Sequence, residues 1–137
     1  MAQSIREVMT PSPETVESSS TAVDAARQMK EADAGMIPVV QNGKLVGTVT
    51  DRDIALRVVA EGKDPQATTV GEIASKDIVT VQPDNDLGEA LRLMARHQVR
   101  RLPVVEGDSL VGVIAQADVA QKADEREVGL TVEQISR

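Results

Sequence analysis

GMIPVVQNGKLVGTVTDRDIA (35–55) lies over RRLPVVEGDSLVGVIAQADVA (100–120) without a gap, and this pairing decides the fold. Pro38, Val39, Val40, Leu45, Val46, Gly47, Asp53 and Ala55 return as Pro103, Val104, Val105, Leu110, Val111, Gly112, Asp118 and Ala120, a constant shift of 65 residues (Pro38 to Pro103). The same shift carries upstream, matching Glu7 with Glu72, Thr15 with Thr80, Val16 with Val81, Ala25 with Ala90, Arg27 with Arg92 and Met29 with Met94. An internal repeat sets the architecture before any single motif does. The chain therefore reads as two copies of one unit, 1–62 and 63–124, followed by a tail, 125–137.

Each copy predicts the order β-α-β-β-α, an α/β (α+β) class. A short helical turn (5–9; 70–74) leads to a brief strand at Thr15-Val16 or Thr80-Val81. A helix follows. In the first copy Ser20 is placed to cap a helix over 21–31, with Ala22, Ala25, Ala26 and Met29 on one face. In the second, Asp84, Asn85 or Asp86 is placed to cap 87–97, with Leu87, Ala90, Leu91 and Met94 on the matching face. Two strands (36–41 and 45–50) flank Asn42-Gly43, a dipeptide suited to the positive φ angles of a tight hairpin. The second copy repeats this with 102–106, Gly107-Asp108 and 110–115. A last helix starts at Asp51 or Gln116, and the polar linker EGKDPQATT (61–69) carries the Gly and Pro of a boundary. In the tail, Val132 and Ile135 echo Val70 and Ile73 and predict a further short helix.

With 137 residues the chain suits one compact domain. The absence of Phe, Tyr and Trp leaves the core to aliphatic side chains and excludes base stacking on aromatic platforms. A net charge of −7 with no basic run disfavours nucleic acid and anionic membrane. No stretch approaches the roughly 18–20 apolar residues of a membrane span, and MAQSIREVMT lacks the apolar centre of a signal peptide, which predicts a cytoplasmic protein. Without cysteine there is no thiolate site or disulfide, and the single histidine, His97, falls in the last turn of a helix, where a cation suits the dipole. No P-loop, no His-Glu metal motif and no nucleophile-base pairing is present, so the expectation is a protein that is not an enzyme and carries no metal site.

Chemistry concentrates in LVGTVTDRD (45–53). An apolar strand ends at Thr50 and a helix begins at once, so backbone N–H groups face the strand's end. A hydroxyl at Thr50 can meet a phosphate or sugar oxygen, and a carboxylate at Asp53 suits the two hydroxyls of a ribose. The same two residue types are equally good helix caps. Arg52 and Arg57 on the following helix can reach either a phosphate or water, and Met29, Met36 and Met94 read as core filler.

With LPVV or IPVV before a hairpin and G-h-h-T-x-x-D after it, in two copies over about residues 5–123, the chain resembles the CBS-domain pair, or Bateman module. GTVTDRDI and HQVRRLPVV are especially similar to small stand-alone CBS-pair proteins of the hypoxic-response type. The resemblance implies two tandem repeats packed as a pseudo-twofold pair, dimerising into a four-unit disc through the last helix of each repeat, and two clefts between the repeats. One cleft would combine Thr50 and Asp53 with Arg100 and Arg101 and with backbone at Val79, Thr80 and Val81; the arginines would fork onto phosphate oxygens. The other would take Asp118 with Gly35, Met36 and Ile37, and it departs from the pattern because Ala115 replaces the hydroxyl residue. As plain surface residues, Arg100 and Arg101 also need no ligand.

The implied function is a non-catalytic regulatory module that binds AMP, ADP, ATP or an adenosyl compound as a regulatory ligand, with no required cofactor, and passes the signal to an effector protein. Whether Mg²⁺ accompanies the nucleotide is left open. The alternative is a dimeric interaction scaffold of stress-response type that binds no nucleotide.

Overall fold

A computed structural model describes residues 3–122; the expected tail helix lies outside the described residues. The chain divides into two compact units, one holding residues 13–78 with 107–110, the other residues 3–12, 79–106 and 111–122.

In the first of these units, strand β2 (Val16–Glu17) runs parallel to β3 (Met36–Gln41), which pairs antiparallel with β4 (Lys44–Thr50), giving the order β2-β3-β4. Asn42 and Gly43 make the hairpin turn at φ 53° and 79°, the left-handed values the dipeptide was expected to supply. Helix α1 (Ala22–Ala32) begins one residue later than Ser20 capping would place it. Thr21 is the cap: its hydroxyl accepts from the Asp24 N–H, and the Asp24 carboxylate accepts from the Thr21 N–H, both at 3.2 Å. Ala22, Ala25 and Met29 of this helix are buried with Val16, Ile37, Val39, Val49 and Val58 in one aliphatic core, while Ala26, expected on the same face, is exposed. After β4 come helix α2 (Asp51–Ile54) and a π-helical turn (Ala55–Val59), then a short helix α3 (Val70–Ile73).

The other unit repeats the plan. Strand β1 (Thr10–Pro11) joins β5 (Arg101–Glu106) and β6 (Ser109–Ala115) in the order β1-β6-β5. Val81 makes a parallel bridge to Val104, the counterpart of Val16 on Val39. Helix α4 (Leu87–His97) has Asp86 at its N-cap, but that side chain makes no capping hydrogen bond. Ala90 and Met94 pack with Ile5, Val81, Leu102, Val104, Ile114 and Val119. Leu91 stays 39% exposed, matching the exposed Ala26. A helix, α5, occupies 116–122 of the described residues.

The two compact units cut across the sequence repeats. The leading segment of the first copy, a 3-10 turn (Ile5–Glu7) and β1, completes the sheet of the second copy, with Thr10 opposite Val113. The leading segment of the second copy, α3 and Ser75, completes the sheet of the first: Thr48 and Ser75 exchange N–H to carbonyl bonds of 3.0 and 2.8 Å. The same backbone bonds secure both: Ile5 N–H to Asn85 and Arg6 N–H to Pro83 in one unit, Val70 N–H to Ser20 and Gly71 N–H to Ser18 in the other. This explains the repeated glycine of LVG. A Cβ on Gly47 would stand 2.7 Å from the Ser75 carbonyl oxygen, and one on Gly112 would stand 2.9 Å from that of Thr10.

Candidate functional site

The junction of β4 with α2 fixes Thr50 and Asp53 to each other. The Thr50 hydroxyl accepts from the Asp53 N–H at 3.0 Å, and Asp53 Oδ2 accepts from the Thr50 N–H at 2.9 Å. This reciprocal cap satisfies two N–H groups that a helix start leaves without intrahelical partners. Both residues are half-buried. The capping role open to them in the sequence is therefore realised, and it occupies only part of each side chain. The Thr50 O–H remains a donor, and Asp53 Oδ1 keeps its lone pairs, with Arg57 Nε at 3.9 Å. Arg57 Nη1 donates to the Ile73 carbonyl at 2.9 Å, which ties one end of a guanidinium that is otherwise half exposed. Sequence reading left Arg57 undecided; its i, i+4 spacing from Asp53 was the available signal.

Beside this junction, Met36 is the register partner of Thr50, and the Asp51 N–H donates to the Gly35 carbonyl at 3.1 Å. Ile37 is 2% exposed in the core, so its side chain is committed to packing.

In the other unit the equivalent junction is β6 with α5. The Gln116 N–H donates to the Arg100 carbonyl at 2.7 Å, mirroring Asp51 and Gly35. Ala115 has no hydroxyl with which to cap, and Asp118 at the third helical position is half-buried. Asp118 lines an open pocket of about 270 Å³ formed within its own unit by Glu7, Val8, Thr10, Gln121 and Lys122. Arg100 is exposed, Arg101 is half-buried at the head of β5, and among the described residues neither makes an ion pair. Val79 and Thr80 are half-buried. Val81 is committed to the sheet: its N–H donates to Pro103 at 3.1 Å and its carbonyl accepts from Val105 at 2.8 Å. His97 is exposed at the end of α4.

Among the described residues no group of three His, Cys, Asp or Glu side chains converges to hold a metal ion, and no helix is long and apolar enough to cross a membrane.

Comparison with known proteins agrees with this architecture. The family model for the CBS domain matches twice, at residues 5–60 and 70–125. The CBS domain-containing protein YhcV of Bacillus subtilis is 46% identical over 117 residues, 85% of this chain and 83% of the relative. Hypoxic response protein 1 of Mycobacterium tuberculosis is 36% identical over 124 residues, 90% of this chain and 87% of the relative. A crystal structure of Hypoxic Response Protein I, with two coordinated zinc ions, superposes with a TM-score of 0.81 at 37% identity, covering 87% of this chain and 98% of that one. The CBS domain pair of protein MJ0100, crystallised with 5′-methylthioadenosine and S-adenosyl-L-methionine, has a TM-score of 0.82 over 92% of this chain and 99% of that one. At 23% identity it shares the fold alone.

Proposed function

The chain belongs to the CBS-domain family, carrying a pair of its repeats, and from that premise we propose that it is a non-catalytic cytoplasmic module whose regulatory ligand is an adenine nucleotide or adenosyl compound. The observation that carries this reading is the division of labour at Thr50 and Asp53. Their mutual cap holds both side chains in place before any ligand arrives, yet leaves one hydroxyl donor and one carboxylate oxygen for a sugar. Preorganised groups cost less ordering on binding than mobile ones. In this reading Asp53 Oδ1 accepts from a ribose hydroxyl and Thr50 donates to a sugar or phosphate oxygen. Arg100 and Arg101, which have no ion-pair partner among the described residues, are by their chemistry suited to fork onto phosphate oxygens. A protein of this fold has been crystallised with adenosyl ligands, which makes the ligand class reasonable; the assignment of residues rests on their chemistry here.

The signal is read through self-association. Leu56 is 48% and Val59 70% exposed on the π-helical turn after α2, an apolar pair suited to a second copy of this chain. A ligand shifts that equilibrium only by its difference in affinity between the states.

The test is thermal unfolding followed by calorimetry or circular dichroism, since the chain lacks an aromatic fluorophore, against AMP, ADP, ATP, NAD and S-adenosylmethionine. Ligand at 100 times its Kd stabilises by about 2.7 kcal/mol, a shift that is easily read. A concentration-dependent rise, lost in Asp53→Ala, is expected. The cap also satisfies Thr50 and Asp53 without any ligand, which favours the second reading, a dimeric scaffold. Absence of a shift with every ligand at millimolar concentration, in a protein that still dimerises, would establish that one instead.

A further inference from the structure

Arg57 lies beside the proposed ribose-binding carboxylate. One turn on from Asp53, its guanidinium is anchored by the 2.9 Å bond from Nη1 to the carbonyl of Ile73, the last residue of α3. That carbonyl lies at a helix end, where intrahelical partners run out. With Nη1 so held, Nε comes to 3.9 Å from Asp53 Oδ1. The separation is short enough for charge attraction and too long for a hydrogen bond. Oδ2 is taken by the Thr50 N–H, so the two contacts fix both ends of the carboxylate while leaving the Oδ1 lone pairs unspent.

We infer that Arg57 is a positioning residue for Asp53, holding Oδ1 toward a ligand hydroxyl by charge while the Ile73 carbonyl holds Arg57. The inference rests on the reading of Asp53 as the ribose carboxylate and adds to it a second, buttressing group. It also ties the site to two features of the fold. Arg57 lies in the π-helical turn, where the Ala60 N–H reaches back five residues to the Ala55 carbonyl at 2.9 Å. Its anchor, Ile73, belongs to the leading segment contributed by the second repeat, so the carboxylate is steadied by both copies of the sequence. At the equivalent place in the other unit the residue is Lys122, and Asp118 there lines an open pocket.

The experiment is titration calorimetry of the full chain with adenosine and with 2′,3′-dideoxyadenosine. Wild type is expected to prefer adenosine, because only it offers the 2′- and 3′-hydroxyl donors to Oδ1. Arg57→Ala is expected to reduce that preference about tenfold, the loss of roughly one charge-assisted contact, while affinity for the dideoxy compound stays unchanged. Arg57→Lys is expected to restore part of it. A merely structural role for Arg57 would lower both affinities together and would overturn the inference, as would a preference untouched by Arg57→Ala. A wild type that binds the two nucleosides equally, or neither, would overturn the reading of Asp53 and the inference with it. Should Arg57→Ala not fold, the wild-type Arg57 Nε–H resonance decides: it should shift with adenosine and stay still with the dideoxy compound, and equal response to both would refute the positioning role.

Discussion

Substituting Gly47 with alanine tests the exchange of leading segments directly. The new Cβ would stand 2.7 Å from the Ser75 carbonyl oxygen and 3.3 Å from the Ala74 Cβ, where ordinary contact begins at 3.4 Å. Gly47 is buried inside β4, Ala74 is 8% exposed and the Ser75 oxygen belongs to the backbone, so no flexible side chain can relieve the contact by turning into solvent. The segment must move away, which strains or breaks the two Thr48–Ser75 backbone bonds at about 1 kcal/mol each, with a further 1–3 kcal/mol for overpacking. The lower entropy of alanine in the unfolded chain returns about 0.4–1 kcal/mol. The net expectation is a loss of about 2–4 kcal/mol. Urea unfolding followed by far-UV circular dichroism would read this as a lower midpoint at unchanged m-value. Gly43→Ala is the comparison. It sits at φ 79° with nothing within 4 Å of the new methyl, so it carries only backbone strain of about 1–2 kcal/mol. A Gly47→Ala protein within about 0.5 kcal/mol of wild type would refute the close approach that the exchange requires.

The two helix starts should respond in opposite directions to hydroxyl swaps. Thr50→Ala removes a working cap and should cost about 1 kcal/mol, whereas Ala115→Thr places a hydroxyl three residues before Asp118 and should add roughly 0.5–1 kcal/mol; thermal unfolding of both variants checks the pair, and destabilisation by Ala115→Thr would contradict the equivalence of the two junctions. Val59→Glu puts a charge in place of a 70% exposed apolar side chain, so the proposed self-association predicts an association constant at least tenfold lower in sedimentation equilibrium, with little change in thermal stability; an unaltered constant, or a wild type that stays monomeric, would refute the proposed π-turn interface.

The hairpins were legible in the sequence because their signals are local. Asn42-Gly43 needed positive φ values, and Pro38 through Val40 formed an apolar run that only a buried strand explains. Helix α1 was placed one residue early because Ser20 and Thr21 are both competent caps, and only Asp24 three residues on distinguishes them. Leu91 and Ala26 were assigned inward from three- and four-residue spacing, yet each lies at the margin of a narrow buried stripe. The exchange of leading segments was not legible because backbone bonds carry it, such as Val70 N–H to Ser20, and these have no side-chain signature. Its one trace was the repeated Gly47 and Gly112, where a Cβ would meet the approaching carbonyls of Ser75 and Thr10. At the site, the residue types at Thr50 and Asp53 spoke for a cap first, and a ligand contact stood beside it. Residue types alone could not show that the cap uses Oδ2 of Asp53 and leaves Oδ1 outside it.

The differences between the two junctions are coordinated. At a shift of 65 residues, Thr50 becomes Ala115, Arg57 becomes Lys122, Gly35 becomes Arg100 and Met36 becomes Arg101, while Asp53 returns unchanged as Asp118. The first two changes remove the cap hydroxyl and the guanidinium that lies 3.9 Å from the carboxylate. The second two add fixed positive charge where the first copy has none. The fold tolerates either set, since both junctions keep the backbone bond from the helix start to the preceding strand, Asp51 to Gly35 and Gln116 to Arg100. Packing therefore does not require the asymmetry. What the fold leaves free to differ is the chemistry at each junction: a capped carboxylate with a guanidinium 3.9 Å from Oδ1 in one unit, and an uncapped junction preceded by two arginines in the other.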